Sequence, residues 1–334
     1  MMKLFHRTLL VVLTYLSGFP LDGGQLLVAQ PPPMRRHTAL QKGNLHLDPA
    51  SQTLRLPNNV SVTKDGSERV IRVNGIPNHK VGSFPNRGNP HSILQHPGTY
   101  RVPLKPRQAS QPTSVQLNLN VGIAVNGVLF DPGAAEFWLG NPRSGWQYEA
   151  LGAAVPLGLD TNFAHVQPDG NYHYHGLPTG LMKRLGHRPG QHSPLIGWAA
   201  DGFPIYSVLG HENPNDNSSR VRELLSAYRL KEGTRPGGRR GNQNAPGGMY
   251  DGAFVNDYEF VPEIGDLDEC NGRFCVTPDY PEGTYAYFLT TDWPVIPRKL
   301  RGTPHPSFQK QMGPPGGRGR PPGRRGPGPG RRQF

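Results

Sequence analysis

Apolar residues along this chain fall in short runs, not in long helical stretches. Val115, Leu117, Leu119 and Val121 alternate with polar positions, the period of a strand with one buried face, and Asn126-Gly127 follows with tight-turn residues. Val60 and Val62, then Asp65-Gly66, then Val70 and Ile71 predict an earlier hairpin, and residues 99–104 predict another extended piece. More apolar or aromatic segments lie at 137–139, 195–199, 203–209, 254–261 and 285–289, each bounded by glycine, proline or aspartate. Helix is sparse. Residues 177–185, with Pro178 near the start and Gly186 behind, predict one short helix, and residues 220–230 a second. Residues 105–114, with Pro106, Ser110 and Pro112, predict a loop. The expected fold is mainly β: an antiparallel, sandwich-like domain with short helices and many loops.

One predicted hairpin carries chemistry. In Pro168-Asp169-Gly170-Asn171-Tyr172-His173-Tyr174-His175 the strand period puts His173 and His175 on one face and the two tyrosines on the other. Proline, aspartate and glycine suit a three-residue loop ending in a left-handed glycine. The register then pairs Gln167 with Asn171, Val166 with Tyr172 and His165 with His173, so His165 joins the histidine face. A two-residue loop would oppose His165 to Tyr174 and remove it from that face. Two or three imidazoles on one face suit copper, zinc or iron. His192, His187 and Asp201 are further candidate ligands, weaker because a turn or a surface position explains each of them equally well. A second segment, Pro281-Glu282-Gly283-Thr284-Tyr285-Ala286-Tyr287-Phe288, repeats the turn chemistry and both tyrosines but has Ala286 and Phe288 in place of the histidines. That contrast marks the tyrosines as scaffold and the histidines as additional to it.

The N-terminus predicts export of this chain. Met1-Met2-Lys3, His6-Arg7 and the apolar run from Leu9 to Leu16 form the charged and apolar parts of a secretory leader over residues 1–29, too short for a membrane span. No later stretch qualifies as a span, so the expected location is secreted or periplasmic. Cys270 and Cys275 are the only cysteines, and in an exported chain their spacing predicts one local disulfide. Residues 30–58 read as a proline-rich, flexible lead-in, residues 59–114 as a small β region or the edge of the main domain, and residues 115–312 as that domain. Glycine (43) and proline (37) make up nearly a quarter of the 334 residues, which favours turns over helices. Residues 313–334 are almost wholly glycine, proline and arginine, predicting a disordered basic tail. Its six arginines are half of the formal +12, so the basicity belongs to the tail more than to the folded part. Such a tail suits an anionic polymer or a cell surface, and export argues against nucleic acid. Asp266, Asp268 and Glu269 resemble part of a calcium loop, but Cys270 stands where another oxygen ligand is expected.

The tetrapeptide Tyr172 to His175 resembles the signature of the YHYH-domain proteins. The likeness extends through Asn126-Gly127, Asp131-Pro132-Gly133, Gly170-Asn171, Gly197-Trp198, Asp201-Gly202-Phe203-Pro204-Ile205-Tyr206 and Pro281-Glu282-Gly283-Thr284-Tyr285, covering roughly residues 115–300. The resemblance implies an exported, mostly bacterial domain with no assigned activity. Two functions stay open: a secreted metal-binding protein with enzymatic potential, or a metal-free extracellular recognition module for surface or matrix polymers. No G-x-S-x-G is present, which argues against a serine hydrolase.

Overall fold

A computed structural model describes residues 45–237 and 245–310; the expected leader and the basic tail lie outside the described residues. Eight strands form the central sheet: β1 (Gly122–Ala124), β2 (Leu129–Phe130), β3 (Ala164–Val166), β4 (Tyr172–Tyr174), β5 (Leu195–Ala199), β6 (Pro204–Tyr206), β7 (Gly272–Thr277) and β8 (Tyr280–Phe288). Their order is β7-β8-β6-β5-β1-β2-β4-β3, antiparallel except where β4 joins β2 and β8 joins β6. The one α-helix among the described residues, α1, is Thr179–Arg184, and it stops at the left-handed Gly186. The mainly β expectation holds.

The sheet is built twice. Strands β1 to β4 and β5 to β8 run through the same path, and β1 meets β5 at the centre with Ile123 opposite Trp198, flanked by the reciprocal pairs Gly197–Ala124 and Ala199–Gly122. Val125 N–H donates to the Ile196 carbonyl at 2.9 Å and Ala200 N–H to the Val121 carbonyl at 2.8 Å, one bond on each side of a pseudo-twofold axis. Gly122 and Gly197 are matched as well: a Cβ on either would collide with the carbonyl of the facing strand, so the strands approach this closely only because both residues lack one. Before β3, Asp160 Oδ1 accepts from the N–H groups of Asn162 and Ala164. Before β7, Asp268 Oδ1 accepts from those of Cys270 and Gly272. Phe163 and Asn271, at the same step, both have positive φ (52° and 58°).

Tyrosine hydroxyls tie the halves together in the same way. Tyr172 donates to Asp160 at 2.8 Å and Tyr285 to Asp268 at 2.9 Å. Tyr174 accepts from Asn126 and Tyr287 donates to Asp201, the two turn residues that precede β2 and β6. All four tyrosines lie in one apolar core with Ile123, Phe130 and Ile205. Behind the second half a smaller cluster gathers Tyr206, Leu224, Cys275, Ala286 and Phe288.

Several sequence expectations need correction. Cys270 and Cys275 are free and buried, not bridged. Cys270 packs into the main core and Cys275 into the smaller cluster, so the sheet keeps the thiols on different sides. Residues 108–114, read as a loop, pair as a strand with Lys299–Gly302. Residues 115–121 keep their alternating burial but turn at Gln116 to Leu119 instead of forming a ladder. Residues 220–230, read as a helix, form two short strands, Val221–Glu223 and Tyr228–Leu230. Pro281 to Gly283 are not the turn of their hairpin: β8 runs through them, with Thr277 facing Tyr280.

Val60–Asp65 and Glu68–Val73 form the expected hairpin, and Gly98–Pro103 completes a separate three-stranded sheet. Of the lead-in, residues 45–58 are described, and they are held to the body: Asp48 N–H donates to the Leu159 carbonyl and Gln52 pairs with Val81.

Candidate metal centre

The β3–β4 hairpin places the histidines. Its register is Tyr172–Val166, His173–His165 and Tyr174–Ala164, the one derived from a three-residue loop. Gln167 N–H donates to the Asn171 carbonyl, Gly170 N–H to the Gln167 carbonyl, and Gly170 takes φ +87°. The tyrosines therefore fill the core and the histidines emerge on the other side. His175 follows β4 directly and is fixed by its N–H donating to the Phe163 carbonyl at 2.7 Å.

Three imidazoles meet there. His175 Nε2 lies 3.0 Å from His173 Nε2 and 3.0 Å from His165 Nε2. Ring centroids are 4.6 to 4.8 Å apart, with planes inclined at 64° to 85°, a propeller of rings around one point. His173 and His175 are buried and His165 is half-buried. His165 Nδ1 faces the Leu157 carbonyl at 2.8 Å and His173 Nδ1 the Asn171 carbonyl at 3.1 Å. A carbonyl only accepts, so both rings carry the proton on Nδ1 and present an Nε2 lone pair to the centre.

Protonation does not relieve this crowding of lone pairs. Burial pushes His165 down to about 3 and His173 also downward; burial and the two neighbouring rings hold His175 well below the usual histidine range. His175 Nδ1 is buried without a partner. If His175 carried its proton on Nε2 it could donate to only one of the other two rings. The group is therefore short of a positive centre, and its geometry can hold one metal ion.

The histidines line a cleft of about 410 Å³ that also exposes Asp131, Glu136, His91 and Lys310. Asp131 directly follows β2, its N–H bonded to the Tyr174 carbonyl at 2.9 Å. Its Oδ2 accepts from Gln167 Nε2 at 3.1 Å and from Lys310. These charges escaped sequence reasoning: Asp131 was visible only as part of an Asp-Pro-Gly turn, and Lys310 lies 135 positions beyond His175.

The other candidate ligands lie elsewhere. Asp201 is buried, and its carboxylate accepts from Tyr287 at 2.5 Å and from Gly302 N–H at 2.8 Å, which makes it a scaffold group. His192 packs 5.0 Å from Tyr206 and 5.1 Å from His211, behind the second half. His187 contacts Ser193 Oγ at 3.4 Å. None of the three joins the histidine group. The acidic residues near Cys270 are engaged as well, Asp266 by Arg222 and Asp268 by Tyr285.

At the sites equivalent to His165, His173 and His175 the second half has Arg273, Ala286 and Phe288, as the registers His173–His165 and Ala286–Arg273 require. The sheet thus repeats the scaffold without repeating the imidazoles. The family described as YHYH protein matches residues 99–302. No curated protein and no solved structure matches the chain.

Proposed function

The chain belongs to the YHYH protein family, and we propose that this member is an exported protein whose His165, His173 and His175 hold one transition-metal ion in an open site. The observation that carries the reading is the convergence of three neutral Nε2 atoms, two pairs of them at 3.0 Å, on one point. A tetrahedral ion with bonds of about 2.0–2.1 Å spaces its nitrogens roughly 3.3 Å apart, so the two pairs at 3.0 Å need to open only slightly to accept it. Three protein ligands leave a fourth position, and the cleft lies on that side.

Bound zinc would supply a water acidified to a pKa of about 7, whereas copper or iron would supply redox chemistry. Around that position the protein offers Asp131 as an acceptor and Lys310 as a cation, both on the cleft wall. Lys310 and Gln167 orient the Asp131 carboxylate. The leader-like residues 1–29 support export, and the arginine-rich residues 313–334 suit an anionic surface.

Metal analysis of protein purified without added metal, and after titration with zinc, copper(II) and iron(II), tests the proposal. One equivalent is expected in the wild type, and affinity should fall at least about 100-fold in His173→Ala and His175→Ala, given three ligands reduced to two. A folded wild type that takes up none of the three metals would overturn the reading in favour of a metal-free recognition module.

A further inference from the structure

Beside the histidine cleft lies a second cavity of about 380 Å³. Gln167 and Lys310 line both, so the two are neighbours. Its wall includes Tyr100, Asn120 and Asn171, only 8%, 7% and 8% exposed. Among the described residues the Tyr100 hydroxyl and the Asn171 side-chain amide have no hydrogen-bond partner, and the Asn120 amide has only a long contact of 3.5 Å to the Phe308 carbonyl. Their polar atoms are not among the fully buried unpaired ones, so they open onto the cavity and are free to take a ligand's hydrogen bonds. All three face one space beside a candidate reaction centre.

Among the described residues, no cation on the wall of this cavity lacks a carboxylate partner. His96 lies 3.0 Å from Asp169, and Lys310 pairs with Asp131. What remains for a ligand, besides the Asp169 carboxylate, is neutral: two carboxamides and a phenol, each able to donate and to accept, with the exposed Gln309 at the rim. A sugar hydroxyl has the same dual character. At the adjoining histidine cleft a peptide cannot use the β3 carbonyls to add as a strand, because the Val166 carbonyl accepts from Asn89 Nδ2 at 2.8 Å and the Ala164 carbonyl from Asp160 N–H at 2.9 Å.

We propose that this cavity is a subsite for a neutral glycan, which Tyr100, Asn120 and Asn171 hold by its hydroxyls so that the adjoining residues reach the histidine centre past Gln167. The inference rests on the metal reading for the place of reaction, whereas binding in the subsite needs no metal. Calorimetric titration of metal-stripped and metal-loaded protein with cellotetraose and with the tetramer of N-acetylglucosamine tests it. At least one should bind both forms, about tenfold more weakly in Tyr100→Phe and Asn171→Ala, while His175→Ala keeps the affinity and loses the metal. Thermal melts of each variant separate lost contacts from lost folding. No binding of either sugar, equal binding by both variants, or tighter binding of a neutral tetrapeptide such as tetraglycine would overturn the proposal. Sugar binding by a folded wild type that takes up neither zinc, copper nor iron would overturn only the metal reading.

Discussion

Tyr287 and Tyr172 differ from the histidines in what their removal should do. Each hydroxyl donates to a buried carboxylate, Asp201 at 2.5 Å and Asp160 at 2.8 Å. Replacing either by phenylalanine leaves that carboxylate short of a donor, which should cost about 1–3 kcal/mol in urea denaturation with metal stoichiometry unchanged. Loss of metal on Tyr172→Phe, with the fold intact, would show instead that the tyrosine face shapes the centre directly. His192 makes a separate prediction. Burial lowers it to about 4, with His211 and Arg273 adding to the shift while the Ser193 carbonyl and Asp279 oppose it. As pH falls from about 6.5 toward 4, the unfolded chain takes up a proton that the folded chain does not, so stability declines across that window. His192→Gln should remove roughly one proton, about 1.4 kcal/mol per pH unit, from the slope of stability against pH. An unchanged slope between pH 6 and 4 would show that His192 is protonated in the fold.

At the scale of elements, the three-residue loop fixes which face carries imidazole. Gly170 sits at φ +87°, and a Cβ there would lie 2.6 Å from the Leu94 side chain. Gly170→Ala is therefore expected to cost about 1–3 kcal/mol, read as a lower denaturation midpoint, and to weaken metal uptake if the strain is relieved by a slipped register. This hairpin was legible in the sequence because strand period and turn chemistry are local and agree. The strand at 108–114 was not: Pro112 and the polar residues around it read as a loop, and only pairing with Lys299–Gly302, nearly 200 positions away, makes it a strand. Asp131 and Lys310 stayed hidden for the same reason. Their meeting depends on where β2 ends and on how the chain returns after residue 302, neither of which leaves a local pattern.

For the molecule as a whole, the cysteines show how a spacing rule yields to topology. Five positions separate Cys270 from Cys275, yet one lies before β7 in the main core and the other within β7 in the smaller cluster. Both thiols should resist a thiol reagent in the native protein and react, two per chain, after unfolding; reductant should leave the melting temperature unchanged. A reductant-sensitive melt would contradict the free thiols. The matched halves carry the widest implication. A chain ending near residue 190 would keep β1 to β4 and expose β1 as an open edge, whose natural complement is another copy of itself across the Ile123 position. Sedimentation of such a fragment should give twice the chain mass, and a folded monomer would refute the idea. In the whole chain the second half takes the place of that copy, with Arg273, Ala286 and Phe288 where the first half carries imidazoles, so one centre stands on a scaffold made twice.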